Sequence, residues 1–219
     1  MHFEILVEGQ TELTALSYLM SKIVGEYEKP HTWKIHKHRG IGKLPDNLTS
    51  SPNKKDRSLL HNLPSKLRAY GQNMQESEVV VLLVDLDERK DCIAFKSELR
   101  SVLGCCEQKP NLLIRIAIEE LEAWYLGDRK AIMSAFPSAN QRVLNKYVQD
   151  SQVGTWEVLA EAVHPNGLSA LNKLGKRSPL VLEQKKKWTK AIAPTMDVNN
   201  NVSPSFCTFR DGIKSLANI

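Results

Sequence analysis

The sequence predicts an α/β fold: a mostly parallel sheet flanked by helices, followed by a mainly helical C-terminal part. Three observations carry this reading. Glu78 to Asp85 contains the run VVVLLV, uninterrupted and mostly β-branched, the pattern of a strand buried on both faces at the centre of a parallel sheet. Strand-like and helix-like segments alternate from Phe3 to Trp124 in the order β-α-β-loop-α-β-α-β-α, which calls for helices on both sheet faces. Beyond Asp128 the strand signals stop. The expected division is an α/β domain over 1–128 and a helical extension over 129–219 packed on the same core.

Each element has a local reason. Phe3 to Val7 reads as a short strand ending at Glu8-Gly9, and Thr11 is placed to cap a helix running through Ile23. Leu13, Leu16, Leu19 and Met20 recur near helical spacing and define its buried face. Thr32 to His38 alternates weakly as a second strand. Arg39 to Lys55, rich in Gly, Pro, Asn, Ser and Lys, reads as a long exposed loop. Leu59 to Tyr70 is helical, with a break or restart expected at Pro64. After the VVVLLV strand, Arg89 to Leu103 reads as a helix, Asn111 to Ile118 as a strand, and a short helix follows through Trp124. Turn signals stand at Phe136-Pro137, His164-Pro165-Asn166-Gly167 and Gly175-Lys176. Near the end, Ser203 caps a helix with Pro204 at its first position, and Phe206, Phe209, Ile213 and Leu216 form its buried stripe. Lys185, Lys186, Lys187 and Lys190 are expected to share a basic helix face.

Composition excludes several classes. Of 219 residues, 42% are hydrophobic and 25% charged, an ordinary globular balance. No apolar run approaches the ~20 residues that span a bilayer, so no membrane partner is expected. The N-terminus MHFEILVEGQ lacks a basic flank and a cleavable apolar stretch, which points to a cytoplasmic protein. The four cysteines (Cys92, Cys105, Cys106, Cys207) form no C-x-x-C pair, arguing against a zinc site or a disulfide framework. The net charge of +5 suits a polyanionic partner such as DNA or RNA.

The acidic residues carry the chemistry. Glu8-Gly9 directly follows a strand, Glu12 lies one helical turn on, and Asp85-Leu86-Asp87 directly follows the most buried strand. Strands of an open α/β sheet present their carboxyl ends along one edge, where ligands bind. Carboxylates gathered there repel one another unless a cation lies between them. An all-oxygen set without His or Cys selects a hard ion, Mg²⁺ or Mn²⁺. Glu119, Glu120 and Glu122 follow the next strand, where acids also suit the positive end of a helix.

VEGQTE (Val7 to Glu12), followed by a hydrophobic strand ending DLD (Asp85 to Asp87), resembles the topoisomerase–primase, or Toprim, domain. The Val-Glu-Gly-x-Thr-Glu form is similar to the Toprim nucleases of the overcoming-lysogenization-defect family. It also resembles a small stand-alone Toprim-like bacterial family of unknown function, in which EELEAW (Glu119 to Trp124) and NNVSPSFCTFRDGI (Asn200 to Ile213) have counterparts. The resemblance implies Glu8, Asp85 and Asp87 as the central metal-binding and catalytic set, and Glu12, Glu120 and Glu122 as ligands of a second Mg²⁺ or Mn²⁺. It implies metal-dependent cleavage of DNA or RNA, often with an SMC-like ATPase partner in defence against phage. Arg89 stands where many Toprim domains have Gly. Lys187 and Arg210 are nominated to stabilise charge on the phosphate oxygens.

Other readings stand beside this one. The chain has no Gly-x-x-x-x-Gly-Lys-Ser/Thr loop and so no ATPase motor of its own. A phosphotransfer or phosphatase reading, with Asp85 as nucleophile, lacks Ser/Thr and Lys partners at the required spacing. A degenerate Toprim fold that only binds nucleic acid or a partner is the main alternative. His36, Lys37, His38 and Arg39 fit either a nucleic-acid groove or a solvated strand end, while Trp124 and Trp188 read as packing residues.

Overall fold

The computed structural model describes residues 1–175 and 178–219. Along them run β1 (His2–Val7), α1 (Gln10–Val24), β2 (Thr32–Lys37), α2 (Leu59–Asn73), β3 (Glu78–Asp85), α3 (Cys92–Ser101), β4 (Leu112–Ala117) and α4 (Glu122–Leu126). Then come α5 (Arg129–Ala135), α6 (Gln141–Lys146), α7 (Thr155–Val163), α8 (Gly167–Asn172), α9 (Pro179–Ile192) and α10 (Pro204–Ala217). The fold is α/β, with a helical C-terminal part.

The strands form a parallel sheet in the order β2-β1-β3-β4, with Leu6 opposite Leu82 and Leu82 opposite Ile114. The chain leaves β1 toward β2 on one side and leaves β3 toward β4 on the other. The strand order therefore reverses between β1 and β3, and a crevice opens at their carboxyl ends. Alternation along the strands divides the core. Phe3, Ile5, Val7, Val79, Val81 and Leu83 face a cluster that includes α1 and the later helices, through Trp124, Trp156, Trp188 and Phe206. Leu6, Val80, Leu82 and Val84 face α2 and α3, against Leu59, Leu63, Leu67, Phe95 and Leu99. The helices after Asp128 thus share one core with α1 and β1.

Several boundaries differ from expectation. Gly9, not Thr11, stands at the N-cap of α1, which places Glu12 in the first turn. Pro64 does not break α2, which runs through it to Asn73. An interior proline costs about 3 kcal/mol, and the burial of Leu59, Leu60, Leu63 and Leu67 against the sheet outweighs that cost. α3 begins at Cys92 rather than Arg89, because Asp91 caps it by accepting from the Ala94 N–H. Ser203 caps α10 as expected, accepting from the Phe206 N–H, with Phe206, Phe209 and Ile213 buried. The basic run on α9 does not form a single face: Lys186, Lys187 and Lys190 are exposed, whereas Lys185 turns inward. Lys176, in the turn expected at Gly175-Lys176, lies outside the described residues.

Candidate functional site

β1 and β3 are hydrogen-bonded neighbours, so Glu8 and Asp85 emerge side by side at the crevice. The contact is direct: the Asp85 backbone N–H donates to Glu8 Oε1 at 2.8 Å. Glu12 comes from the first turn of α1 and is buried; Glu120 and Glu122, at 4% and 1% exposure, come from the turn after β4 and from the first residue of α4. Asp87 takes a left-handed conformation (φ 52°), which turns the chain after β3 so that its N–H reaches the Glu119 carbonyl. Carboxylates from the ends of three parallel strands therefore meet at one edge, with Asp85 at their centre.

The electrostatics record the crowding. Burial, then the charges of Glu8, Glu12, Glu120 and Glu122, hold the Asp85 carboxyl well above its ordinary range. Burial pushes Glu8 up to about 8; the Asp85 N–H opposes this, and Glu12 and Asp87 add to it. Burial raises Glu12 as well, against the pull of its own N–H, Lys185 and the Gly9 N–H. Glu122 rises to about 7 through burial and Glu120, opposed by Lys185. Among the described residues, Asp85 Oδ1 is buried without a hydrogen-bond partner. Such an atom costs about 1–3 kcal/mol unless something binds it.

Lys185 supplies a positive charge inside this set. Its Nζ lies 3.2 Å from Glu120 Oε2 and 3.2 Å from Glu122 Oε1. Burial alone would lower its pKa, but Glu122, Glu120 and Asp85 more than offset that and raise it. Tyr125 adjoins the same acids and donates to Thr189 Oγ1, which donates in turn to the Lys185 carbonyl. The aromatic ring and α9 are thereby tied together behind the ion pair.

The structure brings together Glu8, Glu12, Asp85, Glu120 and Glu122 and leaves Asp87 at the rim, 3.6 Å from Arg89 Nη1. It does not bring Lys187 or Arg210 to them. Lys187 is exposed and pairs with Glu183, one helical turn away. Arg210 binds Asp211 and the Val198 carbonyl, anchoring α10 to the preceding loop. The lysine that reaches the acids is Lys185, two residues earlier, and the sequence does hold a signal for it. Val181, Lys185, Trp188, Thr189 and Ile192 recur at helical spacing, and all but the lysine are fully buried. Glu119 stands apart from the other acids, because its carboxylate accepts from the Gly154 and Thr155 N–H groups and caps α7. Arg89, where a Gly was expected of the resemblance, lies over the Phe95 ring at 4.1 Å.

Among the described residues, no three His, Cys, Asp or Glu side chains are disposed to hold an ion as they stand. The donor set nevertheless fits a hard divalent cation in chemistry. It is all oxygen, it is concentrated at a sheet edge, and its central carboxylate carries an orphaned buried atom.

An α/β domain with a carboxylate-lined crevice at the switch point of a parallel sheet is the class that fold and site define. The chain belongs to the DUF4276 family, a domain of unknown function, whose family model matches residues 7–214. No curated protein and no solved structure matches the chain.

Proposed function

We propose that the chain is a divalent-metal-dependent nuclease of the Toprim type, hydrolysing phosphodiester bonds of DNA or RNA. The observation that carries this reading is Asp85. Its Oδ1 is buried without a partner among the described residues, amid four further carboxylates, at the point of the sheet where ligands bind. A purely structural role would favour pairing such an atom or replacing the acid.

Glu8, Asp85 and Asp87 would hold one Mg²⁺ or Mn²⁺, and Glu12, Glu120 and Glu122 a second. Bound there, such ions supply Lewis-acid stabilisation of phosphoryl oxygens and a water of lowered pKa. The chain's own residues do the rest. The Asp85 N–H fixes the Glu8 carboxylate. Lys185 orients Glu120 and Glu122 and, with its raised pKa, stays charged at neutral pH. The packed Tyr125 and Thr189 hold Lys185 in place and exclude water from behind it.

The wider role belongs to the same proposal: an effector subunit in phage defence, worked by a separate SMC-like ATPase. The absence of a phosphate-binding loop in the sequence motivates the separate motor. The test is cleavage of plasmid DNA, single-stranded DNA and total tRNA with Mg²⁺ or Mn²⁺, with and without an ATPase encoded beside it. Cleavage by wild type and none by Glu8→Ala or Asp85→Ala supports the reading; intact substrates under every condition refute it.

One observation favours the alternative of a degenerate Toprim fold that binds without cutting. Lys185 already neutralises part of the acidic set. Under that reading divalent ions do not bind, and Lys185 is the permanent counter-charge.

A further inference from the structure

Beside the acids lies a second, oppositely charged feature. A cavity of about 720 Å³ has Lys37, Arg39, Lys54, Asp56, Arg57 and Lys66 in its lining. Five lysines and arginines thus stand against one carboxylate, Asp56, where the whole chain has 30 against 25. A cleft with low-dielectric walls and one sign of charge concentrates counter-ions.

The partners of these cations sort them. Lys66 adjoins Glu4, which also binds His36, so both are partly neutralised. Lys37 bonds to Gln10 Oε1, a neutral acceptor. Among the described residues Arg39, Lys54 and Arg57 form no ion pair, and all three are exposed. The loop that carries them is held by backbone bonds. The Arg39 N–H donates to the Arg57 carbonyl, and the Gly40 N–H donates to the Glu8 carbonyl at 2.9 Å. Asp56 is spent within the loop, accepting from the Ser58 N–H and hydroxyl. The loop beside the cleft is thus tied to the backbone of Glu8, one of the clustered carboxylates, and Gln10, two residues further on, is part of the cleft wall.

We propose that this cleft seats the phosphodiester backbone of a nucleic-acid double helix and delivers it to the acidic edge. Clustered cations bind a phosphate backbone by releasing its counter-ions, without regard to sequence. Among the described residues the lining has no Phe, Tyr or Trp, whereas single-strand binders rely on aromatic platforms for unstacked bases. A duplex, DNA or RNA, presents phosphates and no free bases, and so matches the wall. The proposal rests on the nuclease reading for its purpose, but it is tested by binding alone.

The test is fluorescence anisotropy in EDTA with a labelled 20-base-pair DNA duplex, the matching RNA duplex and the single strands. Three proteins are compared: wild type, Arg39→Gln/Lys54→Gln/Arg57→Gln, and Lys130→Gln/Lys146→Gln/Lys190→Gln on exposed positions of α5, α6 and α9. Circular dichroism checks that each is folded. Wild type should bind a duplex more tightly than its single strands, with log K falling against log salt at a slope of about −3 to −4 for four uncompensated cations. The cleft variant should lose roughly tenfold or more in affinity and about three from that slope. The remote variant should stay within about twofold of wild type, the cleft contacts being untouched. Equal binding by wild type and the cleft variant, an equal loss in the remote variant, or tighter binding of single strands would overturn the proposal. Because EDTA removes catalysis, a protein that binds as described but never cuts would keep this inference and sink the nuclease reading.

Discussion

Replacing Asp85 with Asn should make the metal-free protein more stable, and the gain should grow with pH. The carboxyl is held well above its ordinary pKa by burial and by Glu8, Glu12, Glu120 and Glu122. A group with a raised folded pKa contributes its full stability below its unfolded value, near pH 4, and loses it as the pH climbs toward the folded value. The loss is at most about 1.4 kcal/mol per pH unit. Asn has the same shape and takes up no proton, so the variant escapes that loss. Between pH 4 and pH 8 the ceiling is about 5–6 kcal/mol. The gain should therefore be almost nil at pH 4 and grow steadily toward pH 8 without exceeding that ceiling, since Lys185 lies nearby and offsets part of the crowding. For a chain of this size each kcal/mol gained is worth roughly 2–4 °C in melting temperature. The assay is thermal unfolding in EDTA, followed by circular dichroism from pH 4 to pH 8. An Asn variant less stable than wild type at pH 8, or a gain that does not change with pH, would refute the reasoning.

Further outcomes follow from the same geometry. Lys185→Met strands Glu120 and Glu122 without their counter-charge and should cost about 3–5 kcal/mol at pH 8 in chemical denaturation. The cost should shrink below about pH 6, where Glu122, with a pKa of about 7, keeps its proton. Lys187→Ala, on the solvent side of the same helix, should change stability by less than about 0.5 kcal/mol and leave any cleavage intact. Glu119→Ala removes the acceptor at the start of α7 and should cost about 1–2 kcal/mol, while divalent-ion affinity measured by calorimetry stays at the wild-type value. Gly71→Ala would place a methyl 1.8 Å from the Gln108 carbonyl oxygen, so the backbone must move, and a melting experiment should show a loss of about 1–3 kcal/mol.

Much of the site is legible in the sequence because its acids follow the strands that position them. Glu8 and Asp85 each adjoin a run of strand residues, and parallel strands bring such neighbours to one edge whatever the rest of the chain does. EELEAW taken alone reads more readily as a solvated helix start than as a ligand set, since local sequence does not report depth. Only the packing of α4, α7 and α9 around it buries Glu120 and Glu122. Lys185 hides inside a run of three lysines, where composition suggests a solvated face and only the spacing of Val181, Trp188 and Ile192 marks the inward one. The capping role of Glu119 depends on a residue 35 positions away and leaves no local trace. Pro64 misleads because propensity weighs one missing hydrogen bond, whereas the fold weighs that bond against four buried leucines. The cleft beside the acids depends on the 39–57 loop folding back on β1 through the Gly40–Glu8 bond, which no periodicity announces.

The most direct test of the central claim is isothermal titration of Mn²⁺ into wild type, Asp85→Asn and Glu8→Gln at pH 8. If the carboxylates at the β1–β3 crevice form a metal centre, wild type binds with saturable heat and releases protons, since Glu8 holds one up to about pH 8. Both variants should then lose that heat while remaining folded. Wild type that takes up no Mn²⁺ at millimolar concentration, or variants that bind as well as it does, would contradict the account.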